Sequence, residues 1–200
     1  MFALKCNNYM VDLHLGEPML TDIKIGITGM PGAGKTQVLL RVISMLEAEE
    51  DIIIGGMITE PIIENRRRTG FYILDWLTKE KKVFAHTSID SKITIGKYKV
   101  DVSVMENVGV PAIMNAIEKA DLIVIDEIGK MELESEMFVK AVREALDTEK
   151  PLIITMFKKS RNALLQDIRR RDDIRILEVT NVNKGILPFK IVSLLKGEIL

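Results

Sequence analysis

The sequence predicts an α/β fold in which a mostly parallel sheet is flanked by helices and carries an antiparallel insertion around residues 60–105. Short apolar runs typical of buried strands alternate with segments whose apolar residues recur at helical spacing, which is the pattern of successive β-α-β units. Within the insertion the pattern changes to short segments without intervening helices, which is typical of antiparallel hairpins. Two hundred residues, 47% of them apolar, are enough to form the core of one globular domain.

The first predicted unit consists of a strand, a glycine-rich turn and a helix. Residues 23–28 are apolar enough for a buried strand, and the apolar side chains of residues 38–46 recur at helical spacing. Residues 1–20 show no clear period and precede this strand. We therefore expect an N-terminal extension over residues 1–20 and a single domain over residues 21–200.

The middle of the chain predicts antiparallel strands. Residues 52–58 form an apolar run that leads into a basic turn of Arg66, Arg67 and Arg68, after which residues 71–77 again resemble a strand. Alternating apolar residues then predict one further strand with a hairpin partner that contains Ile93 and Ile95; the alternating residues are Tyr98, Val100, Val102 and Val104.

The second half returns to alternating helices and strands. Helical spacing predicts helices around residues 112–117, 138–146 and 164–168, and apolar runs predict strands at 122–125, 151–155 and 174–179, before a closing apolar segment at 186–195. The charged residues 169–173 follow the third of these helices, and we expect them to be its solvated end.

The turn after the first strand has the pattern G-x-x-x-x-G-K-[ST], which binds phosphate groups. This pattern arises by chance in about one chain in a hundred of this length, and fewer would place it between a strand and a helix. Its glycines let backbone N–H groups approach phosphate oxygens, while Lys35 reaches the β and γ phosphates and the Thr36 hydroxyl coordinates Mg²⁺. The loop residues are Gly29, Met30, Pro31, Gly32, Ala33, Gly34, Lys35 and Thr36.

Two adjacent acids, Asp126 and Glu127, end the apolar run at residues 122–125. Open α/β sheets bind ligands at the carboxyl ends of their strands, so this position favours a functional role. We expect Asp126 to hold the metal and Glu127 to orient and deprotonate the attacking water, which makes hydrolysis the favoured reaction. The plainer interpretation makes Glu127 a residue at the start of a helix.

Charge and cysteine content limit the classes of protein to which the chain could belong. Twenty-eight basic and twenty-nine acidic residues give a net charge of −1, so no global field attracts nucleic acid or an anionic membrane, although a local basic patch stays open. Cys6 is the single cysteine and no apolar run is long enough to cross a bilayer. We expect a cytoplasmic monomer with nucleoside triphosphates, rather than nucleic acid or membranes, as its partners.

The order of several short motifs resembles the thermophilic nucleoside-triphosphatase family, whose animal relatives are called cancer-related nucleoside-triphosphatases. The resemblance spans about residues 22–190 and rests on the phosphate loop and four further stretches. These stretches are Thr59-Glu60, Arg67-Arg68-Thr69-Gly70-Phe71, Gly96-Lys97-Tyr98-Lys99-Val100 and Asp126-Glu127-Ile128-Gly129-Lys130-Met131-Glu132.

This resemblance implies a RecA-like P-loop fold and slow Mg²⁺-dependent hydrolysis of ATP, GTP, CTP and UTP with little discrimination between bases. The guanine-recognition pattern N-K-x-D is not matched, since Asn183-Lys184-Gly185 is followed by Ile186. Lys158 and Lys159 stand where the family often has arginines, while Arg161 is retained. An arginine at the γ phosphate can accelerate transfer by about 10³ to 10⁵, and our candidates are Arg68 and Arg161.

Two other functions remain open from the residues alone. A P-loop kinase would transfer the γ phosphate to a nucleotide, a nucleic acid or a small molecule, with residues 158–161 as a lid, but it must exclude the water that Glu127 is suited to activate. A nucleotide-dependent switch would instead use hydrolysis to reset a conformation that binds a partner. Product analysis and nucleotide-dependent proteolysis, respectively, would distinguish these functions from a hydrolase.

Overall fold

The computed structural model describes residues 20–49 and 51–198, and the strands of this part form one nine-stranded sheet. Of the predicted N-terminal extension, all but Leu20 lies outside the described residues. In chain order the strands are β1 (Lys24–Gly29), β2 (Ile54–Glu64), β3 (Arg67–Asp75), β4 (Lys81–His86), β5 (Ile93–Ile95), β6 (Tyr98–Val100), β7 (Leu122–Ile128), β8 (Leu152–Phe157) and β9 (Ile174–Val179).

Helices connect the parallel strands and cover the sheet. They are α1 (Lys35–Glu49), α2 (Val102–Val104), α3 (Val110–Lys119), α4 (Glu136–Leu146), α5 (Ala163–Arg170) and α6 (Leu187–Leu195). A π-helical segment, Met105–Gly109, joins α2 to α3, and a 3₁₀ turn, Glu132–Glu134, precedes α4. In the part of the chain that the structure describes, none of these helices is long and apolar enough to span a bilayer.

The strand order is β5-β6-β4-β3-β2-β7-β8-β1-β9. Strands β2, β7, β8, β1 and β9 run parallel to one another. Numbered along the chain, these five have the order 2-3-4-1-5, so β1 lies between the fourth and fifth strands. This arrangement confirms the predicted RecA-like fold, and the remaining four strands confirm an antiparallel insertion between β2 and α3.

The two faces of the sheet bury separate apolar layers. Ile25 and Ile27 of β1 pack with α1 and α6, whereas Ile123 and Ile125 of β7 pack with α3, α4 and α5. Leu122 and Val124, the residues between them on β7, belong to the α1 and α6 side. This alternation follows from the two-residue period of a strand and explains why the parallel strands are apolar throughout.

Strand β2 belongs to both parts of the sheet. It pairs with β7 only as far as Ile58, which lies opposite Asp126, and then continues paired with β3, forming a β2–β3 ribbon whose last residues, beyond Gly70, have no further strand of the described chain beside them. Asn65 and Arg66 form its turn with φ of 49° and 61°, the positive values that a tight two-residue hairpin requires. The predicted basic turn was therefore misplaced by the pattern, because two of its three arginines already belong to β3.

The alternating pattern predicted a strand that continues to Val104, and this was wrong beyond Val100. The chain turns into a helix at Val102, because the carboxylate of Asp101 accepts hydrogen bonds from the backbone N–H and the hydroxyl of Ser103 at 3.0 and 2.6 Å. Such an N-cap satisfies amide groups that a helix leaves unpaired at its start. Val102 and Val104 pack against the α3 side of the core from this helix.

Candidate active site

The phosphate-binding pattern forms the connection between strand β1, which lies between β8 and β9, and helix α1. Gly32 and Gly34 adopt φ of 77° and 100°, which a residue with a Cβ rarely tolerates, so the loop needs glycine at these two positions. The Ala33 amide donates to the carbonyl of Met30 at 3.0 Å, and the Val38 amide begins the helical bonding by donating to Gly34 at 2.9 Å. Amides at the start of a helix lack partners within the helix, which is the arrangement that favours an anion.

Asp126 lies at the carboxyl end of β7 and is 1% exposed. The Thr36 hydroxyl donates to its Oδ2 at 2.8 Å, and the Thr155 hydroxyl donates to its Oδ1. Thr59 of β2 donates to the Asp126 carbonyl at 2.7 Å. The structure thus brings together the two predicted metal ligands, Thr36 and Asp126, from sequence positions 90 residues apart.

Lys35 and Glu127 form an ion pair beside this carboxylate, with Nζ of Lys35 3.4 Å from Oε1 of Glu127. The lysine is buried, whereas 28% of the Glu127 side chain is exposed. Glu127 lies inside β7, so the alternative interpretation as a helix-entry residue was wrong. The β7–β8 pairing is irregular between Ile125 and Ile128, where the two acids lie.

Burial raises the pKa of Asp126 to about 6. Hydrogen bonds from Thr155 and Thr36 and the charge of Lys35 favour the ionised form, while the charge of Glu127 acts with burial. Desolvation thus outweighs the neighbouring donors. A cation bound by Asp126 would oppose the effect of burial by favouring the ionised carboxylate.

A second buried acid, Glu132, lies next to these residues. Its Oε2 accepts a hydrogen bond from the Gly129 amide at 3.1 Å, which closes the loop after β7. Burial raises the pKa of Glu132 to about 8, and the charges of Glu127 and Asp126 act in the same direction. The sequence motif that contains Glu132 predicts no role for it, because only the fold shows that this glutamate is buried.

Thr155 and Thr59 are the other site residues that sequence reasoning missed. Each supplies a hydroxyl to Asp126 from a strand that neighbours β7. Thr155 is fully buried between apolar residues of β8. A single hydroxyl within an apolar strand was the available signal, since such a group needs a partner when it is buried.

The two candidate arginines lie on different segments around this edge of the sheet, one on strand β3 and one in a loop. Arg68 is exposed on β3 opposite Ile63, five residues along the ribbon from the Ile58–Asp126 pair, or about 16 Å at the rise of a strand. Arg161 is exposed in the loop after β8, whose last residue, Phe157, pairs with Gly29 of the phosphate loop. Their catalytic roles stay predictions.

Arg169 holds the loop that carries Arg161. Its guanidinium donates to the carbonyls of Phe157 at 2.7 Å, Lys158 at 2.9 Å and Ser160 at 3.4 Å. The expectation that residues 169–173 are a solvated helix end was therefore wrong for this arginine. A guanidinium has five donors in a fixed plane, which suits it to bind several carbonyls of one loop.

Comparisons with known proteins agree with this geometry. A family model described as NTPase matches residues 24–192. The chain belongs to this NTPase family. Because the match spans the phosphate loop, both acids and the insertion, the resemblance found in the sequence is confirmed, and the protein is an enzyme of the nucleoside-triphosphatase class.

Relatives of this NTPase are similar over most of their length. The nucleoside-triphosphatase THEP1 of Thermoplasma volcanium is 39% identical over 176 residues, which cover 88% of this chain and 98% of the relative. That of Thermotoga maritima is 38% identical over 174 residues, covering 87% and 96%.

Two solved structures share the fold of this NTPase. The crystal structure of THEP1 from Aquifex aeolicus has a TM-score of 0.76 at 34% identity and covers 86% of this chain and 99% of its own. The solution structure of a human cancer-related nucleoside triphosphatase has a TM-score of 0.73 at 30% identity, covering 86% and 96%.

The Arg169 contacts predict that Arg169→Gln loosens residues 157–161. Losing hydrogen bonds to three loop carbonyls removes roughly 1 to 2 kcal/mol of local stability, so trypsin should cleave after Lys158, Lys159 or Arg161 about tenfold faster. The neighbouring and exposed Arg170→Gln is the control. Equal cleavage rates in the two variants would show that Arg169 does not hold the loop.

The buried Glu132 predicts that stability falls as the pH rises. Its folded pKa of about 8 exceeds the ordinary value of 4.5, so the folded state keeps a proton that the unfolded chain has released, and the free energy of unfolding decreases by up to about 1.4 kcal/mol per pH unit. The effect of Asp126, with a pKa of about 6, ends near pH 6.

Glu132→Gln should therefore flatten the dependence of the unfolding free energy on pH between about pH 6 and about pH 8. Urea unfolding of metal-free protein at several pH values measures this dependence. Glu134→Gln, on the same 3₁₀ turn but exposed, should keep the wild-type slope. An unchanged slope in Glu132→Gln would contradict the assignment of the raised pKa.

Proposed function

We propose that this nucleoside-triphosphatase hydrolyses the terminal phosphate of ATP, GTP, CTP and UTP with Mg²⁺ and with low base specificity. The observation that carries the proposal is the 3.4 Å approach of the Glu127 carboxylate to Lys35 Nζ. The lysine of such a loop serves the β and γ phosphates. A carboxylate beside it is therefore within reach of water that attacks the γ phosphorus.

The donor set at Thr36 and Asp126 fits Mg²⁺. Both groups offer oxygen atoms, and they lie 2.8 Å apart in the structure. Magnesium prefers oxygen ligands and is commonly held by one or two carboxylates together with substrate phosphates and water. When bound, the ion would neutralise negative charge on the β and γ phosphates.

The protein groups then divide the remaining work. Backbone N–H groups of the phosphate loop hold the phosphate chain, and Lys35 offsets negative charge that develops on the leaving nucleoside diphosphate. Glu127 accepts a proton from water as the oxygen bonds to the γ phosphorus and the bond to the β-phosphate oxygen breaks. Arg68 or Arg161 would stabilise the transferred phosphoryl group, with Arg161 on the loop that starts beside the phosphate loop.

A cleft of about 310 Å³ beside the phosphate loop supports low base specificity. Its other wall is the turn after β9, where the Glu178 side chain pairs with Lys158 and the Asn183 amide bonds to the backbone of Glu178 and Thr180 at 2.8 Å. The side chains of Glu178 and Asn183 are thus already bonded to other groups of the protein. We place the nucleoside in this cleft, where few directional contacts remain to distinguish bases. The cleft is lined by Met30, Pro31, Gly32, Ala33, Glu178, Val179, Thr180 and Asn181.

Phosphate release from each of the four triphosphates, with and without Mg²⁺, tests the proposal. We expect release from all four, dependent on Mg²⁺ and lost in Lys35→Ala, because the mutation removes the charge that faces the β and γ phosphates. Equal yields of diphosphate and free phosphate distinguish hydrolysis from transfer to an acceptor. Tight binding of a triphosphate without phosphate release would contradict a hydrolase and favour a kinase.

The role of Glu127 predicts that Glu127→Gln slows turnover by about 10² to 10⁴ while Mg²⁺-nucleotide binding is retained, since the amide preserves shape and cannot accept the proton. Single-turnover phosphate release and equilibrium nucleotide binding measure the two effects separately. Glu134→Gln, an exposed acid of the neighbouring turn, should have wild-type turnover. Wild-type turnover in Glu127→Gln would remove this residue from the mechanism.

A further inference from the structure

The ribbon formed by β2 and β3 extends beyond the edge of the parallel sheet where the phosphate loop lies. Ile58 is the last β2 residue paired with β7, and the strand continues for six residues, from Thr59 to Glu64. At the rise of a strand these residues span about 20 Å. We call the end of this ribbon, residues 63–68, together with the adjoining turn at residues 96 and 97, the ribbon tip.

The ribbon tip concentrates positive charge. Arg66, Arg67, Arg68 and Lys97 are all exposed. Within the described residues none of these four forms an ion pair with a carboxylate, and the nearby Glu64 instead faces His86 at 3.6 Å. Like charges gathered at one place repel one another, so the charges of these four residues do not themselves stabilise the fold. An anionic ligand bound at this position would offset the repulsion between the four cations.

Two cations of the ribbon tip, Arg68 and Lys97, are also held in place. Phe71 and Tyr98 pack edge to face with ring centroids 5.2 Å apart. The Arg68 guanidinium lies 5.4 Å from the Phe71 ring, and Lys97 Nζ lies 5.1 Å from the Tyr98 ring and donates to the Arg68 carbonyl at 2.8 Å. This arrangement joins the β2–β3 and β5–β6 hairpins at one surface and lowers the entropy that its cations lose on binding.

We propose that the ribbon tip binds a nucleic-acid strand through its phosphodiester backbone, without sequence preference. Arginine guanidinium groups match phosphate oxygens in geometry, and several of them at one surface suit a ligand with several phosphates in series. The net charge of the chain is −1, so no global field attracts the strand and the attraction has to come from a local patch such as this one. Binding is therefore strongly salt-dependent and of modest affinity, with a Kd of roughly 1 to 100 μM.

Apart from Arg68, one of the two candidate catalytic arginines, this surface is separate from the groups that hold a nucleoside triphosphate. Lys35, Thr36 and Asp126 lie at the level of Ile58 on the sheet, whereas Arg66 and Arg67 lie at the far end of the ribbon. A strand bound at the ribbon tip therefore does not need the groups that hold a nucleoside triphosphate. Nucleic-acid binding and hydrolysis can be tested independently.

The test measures fluorescence anisotropy of labelled oligouridylate and oligothymidylate, which share the phosphodiester chemistry, between about 50 and about 200 mM salt. The tip variant Arg66→Asn, Arg67→Gln and Lys97→Gln removes three charges, and asparagine tolerates the positive φ of residue 66. The matched control is Lys79→Asn, Lys82→Gln and Lys119→Gln, which removes three exposed charges elsewhere. The single change Arg67→Gln serves if the triple variant folds poorly.

We expect the tip variant to bind at least tenfold more weakly and its logarithmic salt slope to decrease in magnitude by about 2, at about 0.7 per phosphate contact. Arg67→Gln alone should bind about threefold more weakly, while the control variant and Lys35→Ala should bind like wild type. Failure of wild type to bind either oligonucleotide would overturn the proposal. So would equal losses in the tip and control variants, or a loss confined to Lys35→Ala, which would assign binding to the phosphate loop.

Discussion

The buried carboxylate of Asp126 is the constraint on which the arrangement of the active site depends. Removing a carboxylate from water is costly unless donors surround it. Here the donors come from helix α1 through Thr36 and from strand β8 through Thr155, while Thr59 of β2 holds the Asp126 backbone. One buried acid thereby fixes the positions of three elements next to β7, and the same oxygens are those that a magnesium ion would use.

Parallel strands place all of these groups at one edge. The phosphate loop follows β1, the acids end β7, and the loop with Arg161 follows β8, so the strand order brings together residues that are distant along the chain. The antiparallel insertion extends past this edge of the sheet. Because β2 continues past Ile58 instead of ending there, the ribbon carries its arginines beyond the nucleotide-binding surface.

Sequence patterns were sufficient where local and tertiary requirements agree. The phosphate loop needs glycines for its own backbone, and the apolar runs of the parallel strands reflect burial on both faces. The alternation up to Val104 failed because Asp101 offers a local cap that starts a helix, and Val102 and Val104 pack against the core from that helix. The predicted position of the basic turn was also wrong, because Arg67 and Arg68 carry no local signal that separates a turn from an exposed strand.

By itself the sequence determined the class of fold, the phosphate-binding loop and the pair of acids that accompanies this loop, because these depend on residue spacing along the chain. Only the tertiary structure decided that Glu127 meets Lys35, that Glu132 is buried and that Arg169 braces the loop before Arg161. It also decided that cations of two hairpins meet, since Lys97 contacts the backbone of Arg68. Burial and electrostatic coupling depend on distances through space, and a linear pattern does not contain those distances until the strands have paired.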